Sequence, residues 1–271
     1  DRYISDQASA RPRHAGGGEA RCGLRPRLCS DTLSARVSLV LSNAARNPTF
    51  YTVRNLVLQK DRLMSETEVL PPTALPGAGK TVGVLALQGG VAEHARMLES
   101  LEAQVVLVKS AEQLANLDAL VLPGGESSTI DRLTRIFGLR QPLIEAISGG
   151  LPTLGTCAGL IMLSTVIDDP APGQQSLGVL DVSVGRNAFG SQVDSAQVHL
   201  PWLTPSGEEV VIDTAFIRAP IVTRTGEGVQ VVAHHEDKIV GVRAGNIIGI
   251  SFHPEVTGDT TVHEELLSLI R

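Results

Sequence analysis

Aromatic residues are scarce: the chain has five Phe, two Tyr and one Trp among 271 residues. A nucleic-acid surface built on base stacking needs more, and no recognised base-reading module is present, so nucleic acid is not an expected partner. Cysteine is also rare. Cys22, Cys29 and Cys157 are odd in number and widely spread, so they do not make a disulfide framework, and a reducing, cytoplasmic setting is expected. No apolar run approaches the roughly 18 residues of a membrane span, so no membrane partner is expected. There are no internal repeats, which argues against a solenoid or a propeller.

The charge that is present is unevenly placed. Residues 1–63 hold 11 Lys and Arg against 5 Asp and Glu, while the remainder holds 12 against 24, so a net charge of −6 conceals halves of +6 and −12. The first 63 residues are rich in Arg, Ser and Gly and show little hydrophobic period. Three readings fit them: an over-extended start with Met64 as the true initiator, an import peptide, or a basic arm. The first is favoured, because Asp1, Asp6 and Glu19 weaken an import signal. Residues 1–63 are thus expected to be a basic, disordered extension or an over-extended start, 64–80 a linker rich in Pro and Gly, and 81–271 the folded domain.

From Thr81 the hydrophobic period switches repeatedly between two and 3.6. It predicts strands over 81–87, 105–109, 119–122 and 152–157, and helices over 92–101, 111–117, 128–137 and 140–148. Beyond Leu180 short strands dominate, with a closing helix over 262–270. Such alternation predicts an α/β fold, a mostly parallel sheet flanked by helices, with function at the carboxyl ends of its strands.

Within that frame Pro152-Thr153-Leu154-Gly155-Thr156-Cys157-Ala158-Gly159-Leu160 carries the most information. It sets a cysteine between small residues where an apolar strand must turn into a helix, the arrangement of a nucleophile elbow. The helix start favours thiolate over thiol and aims free N–H groups at whatever binds beside it. On its own Cys157 reads equally well as a small buried hydrophobe. Near the other end, Ile247 to Ile250 reads as a buried strand running into Ser251-Phe252-His253-Pro254-Glu255. Residues two apart on a strand face one way, so His253 and Glu255 are expected side by side as a base and the group that orients it.

The elbow and the His-Pro-Glu together resemble the triad glutamine amidotransferases. Further segments resemble one family among them, the glutaminase subunit of pyridoxal 5′-phosphate synthase. They are Leu85-Ala86-Leu87-Gln88-Gly89 with Glu93-His94, Leu122-Pro123-Gly124-Gly125-Glu126-Ser127-Ser128, Arg186-Asn187-Ala188-Phe189-Gly190-Ser191-Gln192-Val193-Asp194-Ser195, and Phe216-Ile217-Arg218-Ala219-Pro220. The resemblance covers residues 81–271. It implies a single flavodoxin-like domain of class I glutamine amidotransferase type that hydrolyses L-glutamine to glutamate and ammonia through a Cys157 thioester, with His253 and Glu255 completing the triad. It implies an oxyanion hole of Gly125 and Ala158 N–H groups, and glutamine binding by Gly125, Glu126, Ser127, Arg186, Ile217 and Arg218. An arginine suits the α-carboxylate, and backbone or acidic groups suit the α-ammonium. The partner implied is a barrel-fold synthase subunit in a large hetero-oligomer that uses the ammonia; no cofactor and no metal are implied. A glutaminase serving another synthase would not be expected to carry the segment from Arg186 to Ser195, and a noncatalytic regulatory homologue would be expected to have a damaged triad.

Other features read as structure. Gly79-Lys80-Thr81 imitates the end of a phosphate loop, but position 74 is Ala and a strand follows, so nucleotide binding is rejected. His234-His235-Glu236-Asp237 is expected to be a polar turn between strands. Gln88 and His94 are expected near the site or an interface, with His94 reading equally well as a helix-surface residue. Two departures from the family stand out: Gly90 replaces the usual alanine, and Gln197 to Val211, with His199, Trp202 and Pro205, matches nothing expected.

Overall fold

Strand and helix alternate from Thr81 largely as the hydrophobic periods predict. The structure, a computed structural model, describes residues 74–186 and 196–271. The extension over 1–63, the first part of the linker and the segment from Asn187 to Ser195 lie outside the described residues. The first half runs β1 (Thr81–Leu85), α1 (Val91–Ser100), β2 (Gln104–Val108), β3 (Ala119–Leu122), α2 (Ser127–Ile136), α3 (Arg140–Ser148), β4 (Thr153–Thr156) and α4 (Ala158–Leu163). The second half contains β5 (Ser164–Ile167), β6 (Leu180–Gly185), β7 (Ala196–Leu203), β8 (Glu209–Phe216), β9 (Ile221–Thr225), β10 (Gln230–His235), β11 (Lys238–Ala244) and β12 (Ile247–Ile250). It closes with α5 (Pro254–Thr257) and α6 (Thr261–Ser268).

The helix expected over 111–117 is a single 3-10 turn, Ala111–Leu114. Its Ser110 and Gln113 form a capping box, and Gln113 Oε1 also accepts from the Lys109 N–H at 2.7 Å. The chain then leaves the helix at Asn116 to Asp118, residues that favour turns, and Asp118 accepts from the Thr81 N–H at 2.7 Å. The first strand also stops at Leu85, two residues short of the expected end, which leaves Leu87, Gln88 and Gly89 in the loop above the sheet.

The main sheet has ten strands in the order β2-β1-β3-β4-β12-β11-β9-β6-β5, with β10 paired to β11. β2, β1, β3, β4 and β12 are mutually parallel, whereas β11 and β9 run antiparallel to their neighbours. Alternation along β3 shows why both faces are covered. Ala119 and Val121 join the core beneath α1 and α6, while Leu120 and Leu122 join the core beneath α2, α3 and α4. Among the described residues, no helix is long and apolar enough to cross a membrane.

The stretch from Gln197 to Val211 forms most of the β7–β8 hairpin. Trp202 is fully buried there, edge-on to Phe252, and donates from Nε1 to Glu265 at 2.9 Å. Glu265 in turn accepts from Arg243 Nε at 2.6 Å, so the hairpin is tied to α6 and β11. At the tip of β10 and β11, Glu236 takes a φ of +54° and completes the polar turn expected after His234 and His235.

Candidate active site

Four parallel strands deliver most of the predicted residues to one end of the sheet, while Arg186 follows β6 and Ile217 and Arg218 follow β8. β1 leads to Gln88, Gly89 and Gly90, β3 to Gly124, Gly125 and Glu126, β4 to Cys157, and β12 to His253. These loops border a cleft of about 740 Å³ whose lining includes Cys157, His253, Glu255, Gly125, Glu126, Ser127, Arg186, Ile217 and Arg218. Ala158, the remaining predicted residue, is the first residue of α4 and is buried directly after Cys157.

Cys157 occupies φ +48°, ψ −100°, a conformation that L-residues adopt only under constraint. The constraint is visible on both sides. Its own N–H donates to Ile250 of β12 at 2.7 Å, and α4 begins at the next residue. The sharp turn needs close packing beneath it: a Cβ on Gly155 would lie 2.5 Å from Leu163 Cδ1. The Sγ is thereby aimed into the cleft, 3.9 Å from the Ile217 carbonyl oxygen.

His253 and Glu255 are not strand neighbours. β12 ends at Ile250, His253 is the N-cap of α5, and Pro254 takes the first helical position, where its missing N–H costs nothing. The helical turn folds Glu255 back, so that His253 Nδ1 donates to Glu255 Oε1 at 2.7 Å. Alternation along a strand was thus the wrong reason for a pairing that the helix start brings about. The imidazole lies against Gly124, where any Cβ would come 2.4 Å from His253 Cε1. Burial works against a charged His253, but hydrogen bonds and charge from Cys157 and Glu255 outweigh it and raise its pKa to about 10.

Glu126 caps α2 by accepting from the Thr129 N–H. Partial burial opposes its charge, yet the bonds from Ser128 and Thr129 and the nearby Arg186 hold its carboxyl below the usual range. Arg186 Nη2 lies 3.6 Å from Glu126 Oε1, so a guanidinium and a carboxylate face the cleft together. Gln174 was not foreseen. It accepts from Arg186 Nη1 at 2.6 Å and donates to Ser127 Oγ at 2.9 Å, joining two predicted residues from a loop with no motif to mark it. Gln88 accepts from the Glu126 N–H at 2.7 Å and fixes the loop after β3. At Gly90 a methyl would meet only ordinary contacts, so the site has room for the alanine that glycine replaces.

His94 is fully buried, not on the surface. It shares one face of α1 with Met97 and Leu98, an i, i+3, i+4 pattern that the sequence already contained. Burial lowers its pKa well below the ordinary range, and His263 falls to about 4 for the same reason. Both buried rings therefore tie stability to pH in the same direction. Between about 4 and 6.5 the unfolded chain binds the proton that native His263 refuses, so stability falls with acidification through that range. Urea midpoints should fall as pH drops from about 6.5 to 4, and His263→Gln should reduce that slope; an unchanged acid slope would contradict the assignment.

Residues 84–269 match the SNO glutamine amidotransferase family. A pyridoxal 5′-phosphate synthase subunit PdxT of Cutibacterium acnes is 50% identical over 193 residues, covering 69% of this chain and 94% of that protein. Its counterpart in Kineococcus radiotolerans is 50% identical over 198 residues, 70% of this chain and 95% of that protein. Among solved structures, a glutamine amidotransferase crystal structure at 43% identity superposes with a TM-score of 0.65 over 70% of this chain and 98% of its own. PurLQS from Thermotoga maritima, 18% identical with a TM-score of 0.51 over 70% of this chain and 96% of its own, shares the fold alone. Since the family match runs from the first strand into the closing helix, the chain belongs to the SNO glutamine amidotransferase family.

Proposed function

We propose that this chain is the glutaminase subunit of a pyridoxal 5′-phosphate synthase, hydrolysing L-glutamine and passing the ammonia to a synthase subunit. The observation that carries the reading is Cys157 held at a positive φ over one cleft with His253, whose Nδ1 is fixed by Glu255 at 2.7 Å. Names and identities of the PdxT relatives support the pathway.

In this reading Arg186 and Glu126 present opposite charges to the α-carboxylate and α-ammonium of glutamine, with Gly125, Ser127, Ile217 and Arg218 completing the pocket. The Cys157 thiolate attacks the side-chain amide carbon, and the oxyanion is stabilised by the N–H groups of Ala158 and Gly125. His253, carrying the proton that Cys157 gave up, delivers it to the departing ammonia. The thioester remains. Water, deprotonated by His253, then attacks it, and collapse releases glutamate and restores the thiolate–imidazolium pair. The resemblance also suggests a synthase subunit of barrel fold within a large hetero-oligomer, on which the glutaminase depends.

The test is glutamate release by the purified chain, alone and with a pyridoxal 5′-phosphate synthase subunit. The expected result is release that rises at least about tenfold with the partner, with ammonia consumed in forming pyridoxal phosphate. Release that ignores the partner would keep the glutaminase and remove the pathway.

A further inference from the structure

Behind the cleft lies a group of side chains that the reaction above does not use. His94 of α1 reaches three others: its Nδ1 is 2.9 Å from His263 Nε2, and its Nε2 is 3.0 Å from Thr156 Oγ1 and 3.4 Å from Glu255 Oε1. All four residues are buried. Glu255 Oε1 also accepts from His253, whereas its Oε2 has no hydrogen-bond partner among the described residues. A buried carboxylate with so few donors depends heavily on each one. We infer that His94 is the positioning residue for Glu255, its Nε2–H shared between the Thr156 hydroxyl and the carboxylate while His263 holds the ring from the other side. The inference rests on reading Cys157, His253 and Glu255 as the reacting triad.

The direction of the protons follows from chemistry. Burial keeps both rings neutral near pH 7, so each has one N–H and one lone pair. A carboxylate can only accept, and it faces His94 Nε2; the proton therefore sits there, and Nδ1 accepts from His263 Nε2–H. This leaves a lone pair, not an N–H, at His263 Nδ1, which has no hydrogen-bond partner among the described residues. The opposite tautomers would set a lone pair against the carboxylate and bury an unmatched N–H. Residues from α1, β4 and α6 thus converge on the one group that sets the tautomer and orientation of His253. Glu255 is held from both sides, and a shift in its position is transmitted to the imidazole.

The comparison that tests this is His94→Gln against His94→Asn. Both are polar and fit the space, but only glutamine extends an amide N–H to where Nε2–H stood. Two readouts apply: iodoacetamide alkylation of Cys157, followed by mass spectrometry of its own peptide and needing no partner, and kcat and KM for glutamine with the synthase subunit present. The expected result for His94→Asn is alkylation slowed about tenfold and kcat lowered between about 10- and 100-fold, with KM within about threefold. His94→Gln should stay within a few-fold of wild type in both. Equal rates for the two variants would overturn the inference, as would a loss confined to KM. A His253→Gln control separates the failures. Slow alkylation there with equal Asn and Gln variants overturns the positioning role alone; a wild-type rate there overturns the triad and this inference with it.

Discussion

Cys157→Ala is expected to lower glutamate release by roughly 10^4-fold or more, the usual consequence of deleting a nucleophile that acts as a unit with its base. Cys157→Gly should be equally inactive, yet more stable than the alanine variant. The residue at 157 sits at φ +48°, ψ −100°, close to a turn conformation that glycine adopts freely and L-residues do not. Strain of this kind costs about 1–3 kcal/mol, and glycine gives back only about 0.5–1 kcal/mol through its freer unfolded chain. A net gain of about 1 kcal/mol for glycine over alanine should therefore appear in the urea midpoint. The same geometry points the sulfur into the cleft. Glycine less stable than alanine would mean that the elbow is not strained, and residual turnover near wild type in either variant would remove Cys157 from the chemistry.

Gly159→Ala should be among the most destabilising single-methyl substitutions in the domain. Glycine to alanine inside a helix ordinarily stabilises by about 0.5–1 kcal/mol, so the sign of the effect is itself diagnostic. Here a Cβ would lie 2.0 Å from the Leu122 carbonyl oxygen and 2.8 Å from its carbon. Both are backbone atoms of β3 and cannot rotate aside. Every residue of α4 is buried, so the helix has nowhere to retreat except by lifting off the sheet. A loss of about 3 kcal/mol or more is expected from urea unfolding, together with reduced activity, because the elbow rides on the same helix. A loss under about 0.5 kcal/mol would show that α4 does not approach β3 this closely.

Much of this site was legible before any coordinates because its signals are local. A cysteine flanked by small residues between a strand period and a helix period is a statement about three consecutive turns of chain, and β4, Cys157 and α4 follow it closely. The 111–117 segment failed for an equally local reason, since Gln113 turned back on the Lys109 and Ser110 N–H groups and spent its polar atoms closing a short turn. His253 and Glu255 were paired correctly for the wrong cause, because strand alternation and the first turn of a helix both bring residues two apart together here.

The sequence by itself determined the strand-to-helix elbow at Cys157, the parallel core of the sheet and the family, all of which are written in short-range period and residue type. Only the tertiary structure decided that His94 is buried behind Glu255, that Gln174 joins Arg186 to Ser127, and that Trp202 closes the core from a hairpin that matched no expected segment. Each of these contacts joins residues far apart in the chain: 161 positions separate His94 from Glu255, 47 separate Ser127 from Gln174, and 63 separate Trp202 from Glu265. A side chain's own neighbours in sequence carry no record of such a partner. Packing helices onto a twisted sheet creates those neighbours, because burial leaves each polar atom needing whichever group the fold brings within reach.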